Sequence, residues 1–152
     1  MKRVLLLIPV LVVLAGCGTT AITTSHSSKP VLSRGAILDE VPLRLDVAGL
    51  RRRGRTATLE LRLINREPHG GDAFSIDDTF SREGHYDMGG VLLLDPSTGR
   101  ELDALEDETD LGFTEISGGG TQSLSVAFPA PSGRTADAVV PHFGLFRGIA
   151  VQ

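Results

Sequence analysis

Cysteine is almost missing from this chain: Cys17 is the only one in 152 residues. A single thiol excludes an internal disulfide, so the fold must rest on its hydrophobic core alone. Tryptophan is absent and tyrosine occurs once, which removes the Cys…Trp…Cys signature of true immunoglobulin domains. Lysine is confined to Lys2 and Lys29, and 19 acids against 15 bases leave a net charge of −4. Such a balance is poorly suited to binding nucleic acid or an anionic membrane through overall charge. No apolar run reaches the roughly 20 residues that a membrane-spanning helix needs.

What is present begins at the N-terminus. Lys2 and Arg3 supply positive charge, Val4 to Leu14 is apolar except for Pro9, and Leu14-Ala15-Gly16-Cys17 is a small-residue exit. Charged start, short apolar stretch and small-residue cleavage site describe an export signal. A cysteine at that exit resembles the lipobox of bacterial lipoproteins. The resemblance implies that the Cys17 thiol receives a diacylglyceryl group and that cleavage removes residues 1–16. Lipidation would also account for an odd cysteine, which otherwise demands a partner chain or a free reactive thiol. Loss of Lys2 and Arg3 with the signal takes the net charge to −6, so membrane attachment is expected from the lipid, at roughly 0.8 kcal/mol per buried CH₂.

Residues 18–35 read GTTAITTSHSSKPVLSRG. Small hydroxylated residues dominate without apolar periodicity, so residues 17–35 are expected to form the lipidated cysteine and a flexible tether with a reach on the order of 25 Å. Residues 36–152 are then expected to form one β-domain. Pro42 to Val47 alternates polar and apolar, and Ala57, Leu59, Leu61 and Leu63 do so against Thr58, Glu60 and Arg62, the period of a half-buried strand. Gly49 to Gly54, with Arg51-Arg52-Arg53, reads as a hairpin loop between them. In the irregular stretch 65–90 a brief strand is expected near Ala73–Ile76, with Phe74, Ile76 and Phe80 folding inward. Val91 to Leu94 is apolar on both faces, as a central strand would be. Asp95-Pro96-Ser97-Thr98-Gly99 is a turn, because proline presets φ and glycine tolerates φ > 0. Further strands are expected at 100–105, 111–116, 124–128, 138–140 and 146–151. Seven to eight short strands without an amphipathic helix predict an all-β fold, an antiparallel sandwich of immunoglobulin-like organisation.

Chemistry is thinly signalled. No G-x-S-x-G elbow occurs, and His26, His69, His85 and His142 stand in no zinc-binding spacing. His85 and Met88 are the nearest approach to a copper pair, against a loop histidine beside a core methionine. Asp72, Asp77, Asp78 and Asp87 share a glycine-rich loop that could supply oxygen ligands to calcium, but no D-x-[DN]-x-[DN]-G run is present and a solvated loop whose acids cap turns is the preferred reading. Glu106 to Asp110 reads as a wet connector. Arg51-Arg52-Arg53 could contact phosphate or an anionic wall polymer, or could simply solubilise a hairpin tip.

Several stretches together are similar to a known domain. Val41-Pro42-Leu43-Arg44-Leu45 leads into a leucine-rich strand ending at Asn65. Gly89-Gly90-Val91-Leu92-Leu93-Leu94-Asp95 precedes a turn. Ala127-Phe128-Pro129-Ala130-Pro131 then comes before Ala138-Val139-Val140-Pro141 and Ile149-Ala150-Val151. This order resembles a β-sandwich domain of actinobacterial lipoproteins, over residues 41–151. In some relatives that domain stands before a peptidoglycan-binding domain, which the resembling stretch does not reach. Cysteines that many relatives carry are missing near Thr109–Phe113. The resemblance transfers no catalytic residue. The expectation is a non-enzymatic cell-envelope lipoprotein without cofactor or nucleic-acid partner. It would be membrane-anchored through Cys17 on the extracytoplasmic face and would present loops or an edge strand to an envelope protein or wall polymer. The alternative is a metal-handling lipoprotein that uses loop 69–88 for calcium or copper.

Overall fold

A computed structural model describes residues 32–76, 79–81, 88–105 and 114–152. The fold is all-β, with antiparallel sheets packed into a sandwich and no helix among the described residues. The strands are β1 (Leu32–Leu38), β2 (Val41–Arg53), β3 (Thr56–Asn65), β4 (Phe74–Ser75), β5 (Leu92–Asp95), β6 (Arg100–Asp103), β7 (Glu115–Ile116), β8 (Thr121–Pro129), β9 (Thr135–Val140) and β10 (Gly144–Ala150). One sheet runs in the order β1-β2-β3-β8 and the second β10-β9-β5-β6, while β4 and β7 form a small pair. The described residues form ten strands, against the seven or eight expected.

Alternation in the sequence becomes the inside and outside of the first sheet. Leu43, Leu45 and Val47 of β2, Leu59, Leu61 and Leu63 of β3 and Leu124, Val126 and Phe128 of β8 are all buried. They pack in one cluster with Leu93, Ala138, Val140, Phe146 and Ile149 of the second sheet. Each leucine taken out of water this way contributes about 1.5–3 kcal/mol. Phe80 and Phe143 stack at the margin, with ring centroids 6.3 Å apart. The inward turn of Phe74, Ile76 and Phe80 is as expected, since none is more than 3% exposed. Met88 is likewise in the core.

Two expectations are corrected. The tether does not extend to Gly35: Leu32 to Gly35 are the first part of β1, paired with Val47 to Arg44. Leu32, Ala36 and Leu38 rest on the core, so alternate apolar contacts along β2 hold a strand whose composition is that of a linker. The rest of the tether, residues 18–31, lies outside the described residues. Second, Arg51 to Arg53 are not a loop. A β-bulge between Val47 and Gly49 shifts the register, and β2 then continues opposite Thr58, Ala57 and Thr56. The turn is instead the two residues Gly54 and Arg55, with Gly54 at φ +62°, a conformation natural to glycine in a two-residue hairpin. The β1–β2 turn is equally tight: Asp39 and Glu40 both have positive φ, at 49° and 67°, the signature of a type I′ turn.

The two sheets are also joined at their sides. The β10 strand is bulged between Phe146 and Ile149 and delivers Val151 to a parallel bridge with Leu50. There the Arg52 N–H donates to the Gln152 carbonyl at 2.7 Å and the Gln152 N–H to that of Leu50 at 2.9 Å. On the opposite side the Leu105 N–H donates to the Ala127 carbonyl of β8 at 2.8 Å.

Candidate functional site

β1 and β8 are the terminal strands of the first sheet; β8 takes the Leu105 bond at Ala127, while β1 has no further strand against it among the described residues. Leu38 and Val41 flank the two-residue turn, so they exchange both backbone hydrogen bonds. The antiparallel alternation then gives Ala36, Arg34 and Leu32 the same role. The N–H and C=O groups of Ser33, Gly35 and Ile37 consequently point outward from the edge. Pro42 stands opposite Ile37, where its missing N–H costs no bond to β1; on its other side its carbonyl accepts from the Arg66 N–H at 2.8 Å. Ile37 is 74% exposed. It lines an open groove of about 460 Å³ with Gly35, Ala36, Pro42, Leu43 and Arg66. An extended chain laid here would find free backbone partners, one large apolar side chain and one guanidinium.

The outward face of the same sheet carries Arg44, Asp46, Arg51 and Arg53 on β2, with Glu60 and Arg62 on β3. Asp46 is only 1% exposed. Ser33 Oγ donates to its Oδ1 at 2.7 Å and Arg44 Nη2 to its Oδ2 at 3.2 Å. Arg44 Nε is 3.1 Å from Oδ1, but it makes no hydrogen bond, so this second contact is purely coulombic. Arg51 leans on Glu60 at 3.4 Å between exposed side chains, an arrangement of small energetic weight. Arg34, on the inward side of β1, lies 5.6 Å over the ring of Phe146 and ties the edge to the second sheet.

Other buried polar groups act as clips. Asn65 is fully buried. Its Nδ2 donates to the carbonyls of Asp72 at 2.8 Å and Ile116 at 2.9 Å, and its Oδ1 accepts from the Glu67 N–H at 2.9 Å. It therefore pins the end of β3 to the loop after it and to β7. Asp95 closes the β5–β6 turn, which has the expected proline and a Gly99 at φ +67°. Its carboxylate accepts from the Ser97 hydroxyl and N–H and from the Ser132 N–H at 2.7 Å. The Ser97 hydroxyl foremost, then the Ser132 N–H, hold its pKa far below the ordinary aspartate value against the opposing effect of burial. Gly118 has no room for a side chain, because a Cβ there would strike the Pro68 carbonyl.

The residues singled out by chemistry are dispersed. His69 and His142 are exposed on different turns, and Asp72 is exposed on the loop that Asn65 clips. Among the described residues no three His, Cys, Asp or Glu side chains come together as a metal site. Cys17, His26, Asp77, Asp78, His85, Asp87 and the connector Glu106 to Asp110 lie outside the described residues. The open edge, the groove and the buried Asp46 and Asn65 had no motif to mark them, and the turn motif at Asp95 did not show that its carboxylate is buried. One signal was legible: residues 32–66 hold eight arginines and four acids, whereas residues 67–152 hold four arginines and fifteen acids. Comparison of the chain with protein families, with curated proteins and with solved structures finds no match.

Proposed function

We propose that this chain is a non-enzymatic lipoprotein of the cell envelope. A lipid on Cys17 holds it at the extracytoplasmic face of the membrane, and its β-sandwich offers an open sheet edge to an extended segment of an envelope protein. The observation that carries the binding role is β1. It is an edge strand with outward backbone groups at Ser33, Gly35 and Ile37, an Ile37 that is 74% exposed, and a groove beside it. Natural sandwiches protect such edges with charge, proline or cover, whereas strand addition uses them. The anchoring role is supported by residues 1–17 and by the position of β1, which follows directly on the segment behind Cys17.

Both halves are open to test. Wild-type protein is expected to incorporate labelled fatty acid and a Cys17→Ala variant to incorporate none; equal labelling would remove the anchor from the proposal. A photo-crosslinking residue at position 37 is expected to capture a defined envelope protein. The same residue at Glu101, exposed on β6 of the other sheet, is expected not to capture it. Capture of the same proteins from both positions would refute a specific edge.

A further inference from the structure

We infer that the outward face of the first sheet is an electrostatic docking surface for anionic phospholipid headgroups, so that the domain lies down on the membrane instead of standing off it. The inference rests on the membrane attachment proposed above. Its basis is the segregation of charge. The strands of the first sheet bear Arg34, Arg44, Arg51, Arg52, Arg53 and Arg62 against Asp46 and Glu60, and β8 bears no charge at all. Facing outward are Arg44, Arg51, Arg53 and Arg62. Of the two acids among them, Asp46 is buried beneath Arg44 and Ser33 and Glu60 is engaged by Arg51. On a protein of net charge −4 this face therefore carries four arginines against two acids, with Asp39 and Glu40 exposed at the turn that ends it, and local potential rather than net charge governs what approaches.

Three further observations select a lipid surface over a linear polyanion. At a strand rise of about 3.3 Å, Arg44 and Arg53 stand roughly 30 Å apart along β2, a span suited to several headgroups at once. Outward positions on β1, β2, β3 and β8 include no aromatic residue, and the groove is at the β1 end, so among the described residues nothing along β2 walls in or stacks on a polymer. Finally, β1 is part of this same sheet, and it begins only 15 residues after Cys17 in the sequence. A domain held that close by one lipid anchor gains a second attachment from clustered arginines.

The test is an arginine footprint on the full-length chain bound to vesicles and recovered by flotation. Vesicles of phosphatidylcholine alone are compared with vesicles containing phosphatidylglycerol, using an arginine-selective dicarbonyl reagent. On the anionic vesicles, labelling of Arg51, Arg53 and Arg62 is expected to slow by about fivefold, in line with roughly 1 kcal/mol of attraction per arginine. Labelling of Arg100, Arg134 and Arg147 is expected to be unchanged. Salt at about 1 M should abolish the difference, because the screening length falls to about 3 Å. Equal labelling on both vesicles, or equal slowing of both arginine sets, overturns the inference. So does greater protection by a soluble glycerol-phosphate polymer than by vesicles, which would make the face a polymer site. A footprint without acylation of Cys17 breaks only the anchor; acylation without a footprint breaks only the docking face.

Discussion

The two sheets of this sandwich are built by different means. The first is made of long strands in an almost unbroken ladder, with β2 and β3 paired over ten positions and β3 and β8 over nine. Its stability is distributed along alternating leucines, and its outer surface is left to arginine and hydroxyl side chains. The second uses short strands with three paired positions between β5 and β9. Individual side chains close it: Asp95 at the β5–β6 turn, and Asp137 accepting from the Gly148 N–H at 2.8 Å beside the β10 bulge. A sheet whose ladder is self-sufficient can expose an edge and a charged face. The second sheet instead commits one carboxylate to its turn and another to its bulge.

Several measurements bear on that contrast. The core belongs to both sheets, so the largest effect should not distinguish them. Phe128→Ala on β8 and Phe146→Ala on β10, both essentially fully buried, should each cost about 3–5 kcal/mol in urea unfolding; a much cheaper loss at Phe146 would mean that the second sheet is only loosely joined. Next is Asn65→Ala, which strips partners from the carbonyls of Asp72 and Ile116 and from the Glu67 N–H. It should destabilise by about 2–3 kcal/mol and speed amide exchange around β4 and β7 ahead of the rest.

Asp95→Asn should cost about 2 kcal/mol at neutral pH and should also change the acid response. The native carboxyl has a pKa far below its unfolded value. Its contribution is therefore complete above the ordinary aspartate pKa of about 3.9 and is lost as pH falls below that toward the native value. Wild type should lose stability in that window more steeply than the Asn variant. Parallel curves would show that Asp95 does not dominate the acid limb. The smallest effect on stability, under about 0.5 kcal/mol, is expected for Ile37→Ser on the open edge. The same change should remove capture by a crosslinker at Gly35. A large loss of stability instead would mean that Ile37 is a structural residue and not a binding one.

Legibility along the chain followed the same division. Ala57 to Leu63 declared β3 because one face is wet and one dry, and Asp95 to Gly99 declared a turn because proline and glycine restrict φ locally. By contrast, Leu32-Ser33-Arg34-Gly35 read as tether. Its apolar residues are too sparse to announce a strand, and pairing with an already formed β2 is what orders them. The Asp39-Glu40 turn has neither glycine nor asparagine, and the bulge at Val47–Gly49 that keeps the three arginines in β2 leaves no local trace. The candidate site was harder still to read. An open edge is a statement about which strand has no neighbour, and that depends on the whole topology.

The sequence by itself determined an all-β chain with a leucine-lined interior, the turn at Asp95, and a composition that makes one hydrophobic core carry the fold without disulfides. These follow from local periodicity and from φ preferences, which act over a few residues. Only the tertiary structure decided that β1 is an exposed edge, that Arg44, Arg51, Arg53 and Arg62 share one outward face, and that Asp46 and Asp95 are buried acids. The reason is that register and strand order are set by contacts between segments tens of residues apart, and a charge acquires its meaning from what stands beside it in space.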